Sequence, residues 1–427
     1  MENIKQFLIL IFVFFLPFGQ ALTINIGFPL KISELALILF LLLSINFSKV
    51  TFYKWQLKYI LLLCTILFFS FVSFVVNYFW EFDYSLALSN VRFVYPFDSI
   101  LKIVYLFISF CGFFSIILNL NNHRVNNYIN YIFAGAIVSL LYAWYLFFSN
   151  YLHLPEYLLP GMDLEPQRVS NGPIRCGTFK EGNYFGLFIL IMVILSAYYK
   201  RFKSMFFFTI SIITSFSTVG MISVFLFSSF YFIRSLYIRK KYYLILSSFV
   251  IIFSSIIFLL NTNNILRTML VSKLVGNTEF ENSNAESTYS KQERTESSIT
   301  AFKLGLDNLV FGVGPSNYSL HYDQYYSRYK FKNKYFKPKK PVCNNVYMEL
   351  FSEQGIVGLI LFLFFLYLII SQAFRLEWCS FGVGNIFVLI YLFAFPSYSI
   401  LFLWVYFAII VSAFHINNNK QWMKIQR

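Results

Sequence analysis

Two arginines stand out for the chemistry they can do. Arg175 opens the run Arg175-Cys-Gly-Thr-Phe-Lys-Glu-Gly-Asn-Tyr-Phe-Gly186, and Arg294 stands the same eleven positions ahead of Gly305. A guanidinium is planar and permanently charged, and its donors form a fork that matches two phosphate oxygens, a geometry lysine lacks. Lys180 and Lys303 fall inside the two runs and add point charge. With 18 glycines in 427 residues either spacing alone is weak, but one lies in each of the two long polar stretches. The plainer role open to such arginines is loop packing or snorkelling at a membrane surface.

Carboxylates come next. Glu349 and Glu353 are four residues apart at the head of an apolar run, so on a helix they share a face. There they can accept hydrogen bonds from hydroxyls, take a proton from one, or simply complement a helix N-terminus. His321 lies in the preceding polar stretch and has the intrinsic pKa of a base. Asn344 and Asn345 read equally as helix caps or as ligands, with Tyr347 following. Residues 318–335 interleave aromatics with Arg328, Lys330, Lys332 and Lys334, a mixture that suits either sugar stacking or interfacial anchoring. No metal or cofactor is expected: the five cysteines show no metal spacing or Cys-x-x-Cys, and the polar loops hold no Asp-x-Asp. Gly312-x-Gly314 lacks the strand–turn–helix context of a nucleotide loop.

The elements that must position these groups are membrane helices. Hydrophobic residues make up 58% of the chain and charged residues 12%, and apolar runs recur throughout. Such runs span bilayers because a helix satisfies its own backbone polar groups. The net charge of +15 does not imply nucleic acid, since basic residues on cytoplasmic loops set the orientation of any such protein. The expectation is an all-α integral membrane protein of about twelve spans.

Spans one to five fall at 7–18, 32–47, 59–76, 100–118 and 129–148, within an N-terminal unit of residues 1–149. The run 7–18 also has the look of a signal-peptide core, but the closeness of 32–47 favours an uncleaved helical hairpin. A polar loop at 150–182 holds the first arginine motif, and spans six to nine occupy 183–260. The apolar run 204–233 has basic clusters at both ends, so it must cross twice, turning near Ser217–Gly220. The large, partly helical loop 261–346 holds the second motif, and 347–427 carries spans ten to twelve and a basic tail. Alternation puts both termini in the cytoplasm and the loops 77–99, 150–182 and 261–346 outside. Cys176 and Cys343 are then the cysteines on the outer side, where a disulfide joining the two loops is open to them.

The motifs resemble those of the O-antigen polymerase/ligase family, the Wzy-like membrane glycosyltransferases. The paired Arg-x10-Gly pattern is similar to that of the polymerase branch, with Arg175 and Arg294 on its arginines and Gly186 and Gly305 on its glycines. Phe311-Gly-Val-Gly314 resembles the family's "lfGvG" turn, and Thr214-Ser-Phe-Ser-Thr-Val-Gly220 its Ser/Gly-containing span junction. Asn345-Val-Tyr347-Met-Glu349-Leu-Phe-Ser-Glu353-Gln-Gly355-Ile-Val-Gly358 resembles the signature "HNxyLxxxxExGxxG". The histidine of that signature falls here on Asn344, which argues against the ligase branch.

The resemblance implies a GT-C-like bundle in a bacterial inner membrane. Its function would be polymerisation of undecaprenyl-pyrophosphate-linked oligosaccharide units on the periplasmic face, metal-independent and inverting. Arg175, Arg294, Glu353 and His321 are the expected catalytic residues. Lys180, Gly186, Lys303, Gly305, Asn344, Asn345, Tyr347 and Glu349 are the expected substrate ligands. Expected partners are the lipid-linked oligosaccharide, membrane lipids, and a chain-length regulator and flippase of the same pathway, with no nucleic acid. Two alternatives stand beside this: a ligase moving glycan to lipid A-core or protein, and a transporter of the lipid-linked unit. A transporter concentrates charges near the bilayer midplane, whereas this chain concentrates them in its outer loops.

Overall fold

The computed structural model describes residues 2–25, 28–44, 52–81, 95–119, 122–162, 166–168, 172–238, 240, 285–325 and 342–425. The expected span at 242–260 and the basic residues Arg328, Lys330, Lys332 and Lys334 lie outside the described residues. The rest is mostly helix, as the apolar runs require. In chain order come α1 (Glu2–Phe14), α2 (Ile32–Ser44), α3 (Lys54–Val76), α4 (Phe97–Asn119) and α5 (Asn122–Tyr151). Then follow α6 (Gly182–Tyr198), α7 (Phe202–Ser211), α8 (Thr218–Ile238), α9 (Ala285–Asp307) and α10 (Tyr318–Tyr325). The chain closes with α11 (Val346–Leu376), α12 (Val383–Leu392) and α13 (Leu401–Ile425).

Among the described residues, six helices, within α3, α4, α5, α8, α11 and α13, are long and apolar enough to cross a bilayer. The chain is a multi-pass membrane protein. Five further apolar helices are shorter than the roughly 20 residues a crossing needs. Shortness and burial go together in α6, where all residues from Phe185 to Ala197 are buried. Residues 401–411 of α13 are likewise buried, whereas α3 and α5 turn Phe68, Phe71, Val138 and Leu141 outward. Two central helices are thus ringed by others whose outer faces are hydrocarbon, the division expected when lipid replaces water outside.

Two departures from uniform helix matter for the site. An antiparallel hairpin, β1 (Thr23–Asn25) with β2 (Pro29–Lys31), separates α1 from α2. The turn ahead of it is tied to the first polar loop: Gln20 N–H and Ala21 N–H donate to the Thr178 carbonyl, and the Thr178 hydroxyl donates to the Pro17 carbonyl. The second departure lies in the run 204–233, where a 3-10 turn (Ile212–Ser215) and a left-handed Phe216 (φ 46°) break the helix before α8 begins at Thr218. That is where two short segments were expected to meet. The loop ahead of α11 is partly helical, as expected, through α9 and α10.

Candidate active site

The site is built on a broken helix. Within α11, Gly355 adopts φ 65° and ψ −167°, so the first turns are severed from the long apolar remainder. A break leaves the preceding carbonyls without their partners four residues on. The Phe311-Gly-Val-Gly turn supplies the missing donors: Val313 N–H reaches the Ser352 carbonyl and Gly314 N–H the Glu353 carbonyl, both at 2.9 Å. Ile356 N–H, orphaned in turn, donates to the Leu309 carbonyl at 2.8 Å. The approach is so close that a Cβ on Gly312 would stand 2.4 Å from the Glu353 backbone, and one on Gly355 would stand 2.3 Å from the Val310 carbonyl. Both glycines also have positive φ, so space and conformation each select glycine here. From α3, the Ser73 hydroxyl bonds the Phe311 and Glu353 carbonyls and the Asn77 amide donates to the Gly312 carbonyl.

The severed first turns carry Glu349 and Glu353 on one face, as their spacing predicts, and a single cation joins them. Lys102 of α4 stands 2.6 Å from Glu349 Oε1 and 2.5 Å from Glu353 Oε2. The three side chains are only 12, 8 and 3% exposed. The ammonium also lies over the Tyr398 ring at 5.1 Å, and the Gln354 amide donates to the Tyr398 hydroxyl at 2.5 Å. Glu349 Oε2 is buried without a hydrogen-bond partner. The Tyr398 backbone N–H is directed at this carboxylate without reaching hydrogen-bond geometry to it. Cys343, just ahead of α11, is buried beside the cluster; burial and then Glu349 push its thiol well above the usual range.

The arginines form a second cluster. Gln167 organises the first: its side-chain carbonyl accepts from Arg175 Nε at 3.0 Å and from Gly182 N–H at 2.9 Å, while its backbone carbonyl accepts from Arg175 N–H. The other guanidinium nitrogens of Arg175 make no hydrogen bond among the described residues. Arg294, on α9, lies within electrostatic reach of Arg175. Burial first and the Arg294 charge second hold Arg175 below its ordinary pKa. No ion pair to either guanidinium occurs among the described residues. Tyr391 lies within electrostatic reach of both arginines, and its hydroxyl donates to the Asn183 carbonyl and meets Ser217. Glu181 lies within electrostatic reach of Arg175 without pairing with it, and like charges gathered without an ion pair suit an anion from outside. The N-terminal ends of α6 and α11 carry helix-dipole charge of the same sign.

Tyr184 links the clusters, within electrostatic reach of Glu181 on one side and of Glu349 and Lys102 on the other. The two motif glycines are helix-packing positions. A Cβ on Gly186 would stand 2.5 Å from the Tyr391 hydroxyl, and one on Gly305 would stand 2.4 Å from the Phe351 ring. Asn345 caps α11, its side-chain oxygen accepting from Tyr347 N–H and Met348 N–H. Tyr347 packs on Phe393 and donates to the Leu389 carbonyl. Asn344 is half-buried just ahead of the cap. Lys180 and Lys303 are exposed, and His321 is half-buried with its ring 3.3 Å from the Gln324 side chain. No disulfide joins Cys176 and Cys343, which pack in separate apolar clusters.

Sequence reasoning passed over Lys102, Gln167, Tyr184 and Tyr391. Lys102 carried a signal, being an ionisable residue inside an apolar run, where charge is expensive and serves function by default. Gln167 and the two tyrosines carried none, because their roles depend on which helix ends meet.

No curated protein matches the chain. Residues 203–363, which include Arg294, both glycine turns and the two glutamates, match the family model described as O-antigen ligase. That match covers the second arginine motif and the broken helix but not Arg175 or Lys102. Over residues 203–363 the chain is therefore similar to the Wzy-like O-antigen ligase family.

Proposed function

We propose that this protein polymerises lipid-linked oligosaccharide repeat units on the outer face of a bacterial inner membrane. The observation that carries the reading is that Arg175, in a loop, and Arg294, on α9, lie within electrostatic reach of each other with no ion pair to either among the described residues. The donor is a glycan on undecaprenyl pyrophosphate. Its anomeric carbon is attacked by a hydroxyl of the incoming unit, and the bond to the pyrophosphate oxygen breaks with its electron pair. The two guanidiniums hold the pyrophosphate and receive the charge that develops on it, which is worth most in a water-poor site. Attack opposite the leaving group inverts the anomeric centre, and charge stabilisation by arginine makes a metal ion unnecessary.

About twelve spans in a GT-C-like bundle, with both termini cytoplasmic, place the loops 150–182 and 261–346 on the donor's side. A flippase of the same pathway delivers the units there, and a chain-length regulator sets the product. The ligase reading is supported by the description of the matching family model and opposed by Asn344 at the histidine position.

A knockout complemented with wild type, Arg175→Ala or Arg294→Ala, at equal membrane levels, tests the reading. Wild type restores a ladder of surface glycan, the knockout shows single units on its lipid core, and neither variant restores the ladder. Loss of all surface glycan with long polymer kept on its lipid carrier would make the protein a ligase. Units retained on the cytoplasmic leaflet would make it a transporter.

A further inference from the structure

Glycosyl transfer needs a group to receive the proton of the attacking hydroxyl, and the arginine pair cannot be that group. Resting on the transferase reading above, we propose that Glu349 is the proton acceptor and that Lys102 is the positioning residue that makes it one. The argument is one of charge and free valence. Two carboxylates share one ammonium, so the buried trio carries one negative charge in excess. Taking up one proton leaves a neutral carboxyl beside a neutral Lys102–Glu353 pair, and removing net charge from a low-dielectric site is favourable. The trio is therefore built to accept a single proton.

The free valence says where. Glu353 is the more enclosed of the two, at 2% exposure, and its main chain is held at the helix break by the Gly314 N–H and the Ser73 hydroxyl. Glu349 spends Oε1 on Lys102, while its Oε2 has no hydrogen-bond partner. It also lies within electrostatic reach of Tyr184, in the same stretch of chain as Arg175. In the transfer, the acceptor O–H gives its proton to Glu349 Oε2 and its electron pair to the anomeric carbon. The pyrophosphate leaves with the pair of the broken bond, and the proton later passes to solvent as the product departs.

The test uses the full-length protein in vesicles, with lipid-linked oligosaccharide as both donor and acceptor. Glu349→Gln is isosteric and removes the excess charge, so it is expected to reach wild-type membrane levels and keep the donor KM. Its kcat should fall by about 100-fold or more, the usual range for a lost general base. Lys102→Arg should retain more activity than Lys102→Met. The double variant K102M/E349Q, which leaves one unpaired carboxylate instead of two, should recover membrane level without recovering kcat. Glu349→Gln within about threefold of wild-type kcat would overturn the proposal, as would a raised KM with kcat unchanged. If wild type extends no glycan but transfers it to lipid A-core, the polymerase reading fails alone, and the same kcat comparison on that transfer still decides the role of Glu349. If wild type transfers to neither acceptor, both fall.

Discussion

The molecule holds two charged clusters that solve the same problem in opposite ways. Around Lys102 the counter-ions are internal: one ammonium, two carboxylates and an aromatic face, closed off between α4 and the head of α11. Around Arg175 and Arg294 no acid forms an ion pair among the described residues, although Glu181 lies within electrostatic reach of the first. A glutamine rather than a carboxylate holds that one by a hydrogen bond. A neutral oxygen orients a guanidinium without neutralising it, so its charge remains available to a ligand. The difference teaches where to look for substrate. An acid-paired cluster that leaves one oxygen free, Glu349 Oε2, suits work on a proton, whereas cations without an ion pair suit an anionic ligand.

Removing the cation from the Lys102 cluster should do the most damage. Lys102→Met strands two buried carboxylates, and stranding one partner of a buried pair costs about 3–5 kcal/mol. Thermal unfolding in detergent should show a large drop, and an unchanged midpoint would mean that the trio is solvated. In the open cluster the same operation should spare stability and strike turnover. Arg175→Ala or Arg294→Ala is expected to lose about 10²–10³ in kcat, as when one preorganised charge is removed from a transition state. Both melting midpoints should stay near wild type.

The two glycines measure how each arginine is docked. Gly186→Leu drives a side chain toward the Tyr391 hydroxyl, and Gly305→Leu drives one into the Phe351 ring. Each should cost about 1–3 kcal/mol of stability by overpacking, read as a lower melting midpoint. A fully tolerated leucine would remove the packing role. The finest test gives the open cluster an internal counter-ion. Gln167→Glu places a carboxylate beside Arg175 Nε and is expected to raise donor KM roughly tenfold, about 1.4 kcal/mol, with the fold intact. Unchanged KM would show that Arg175 does not face the donor.

Much of this was legible in the residues. The pairing of Glu349 with Glu353 on one face follows from helical spacing, and the break near Ser217 follows from basic clusters at both ends of one apolar run. The small hairpin between α1 and α2 was not foreseen, because three-residue strands leave no period to read. The Arg-x10-Gly pattern was visible as a spacing, yet it is realised twice in different ways. Arg294 and Gly305 lie on one helix, where eleven residues make about three turns and share a face. Arg175 stands in a loop, and only Gly186 is helical. The shared spacing expresses a chain length between a charge and a close-packing point.

By itself the sequence determined the solvent and the class of chemistry. A chain this apolar must satisfy its backbone in helices, and two arginines in polar stretches with a pair of helix-head glutamates suit phosphate and proton chemistry. Only the tertiary structure decided the partnerships. Lys102 meets glutamates some 250 positions away, and the Phe311–Gly314 turn supplies the donors that the break at Gly355 leaves wanting. Arg175, in a loop, comes within electrostatic reach of Arg294 on α9. Helical periodicity speaks for a few turns of chain, whereas these contacts depend on how helix ends converge, and no local pattern encodes that.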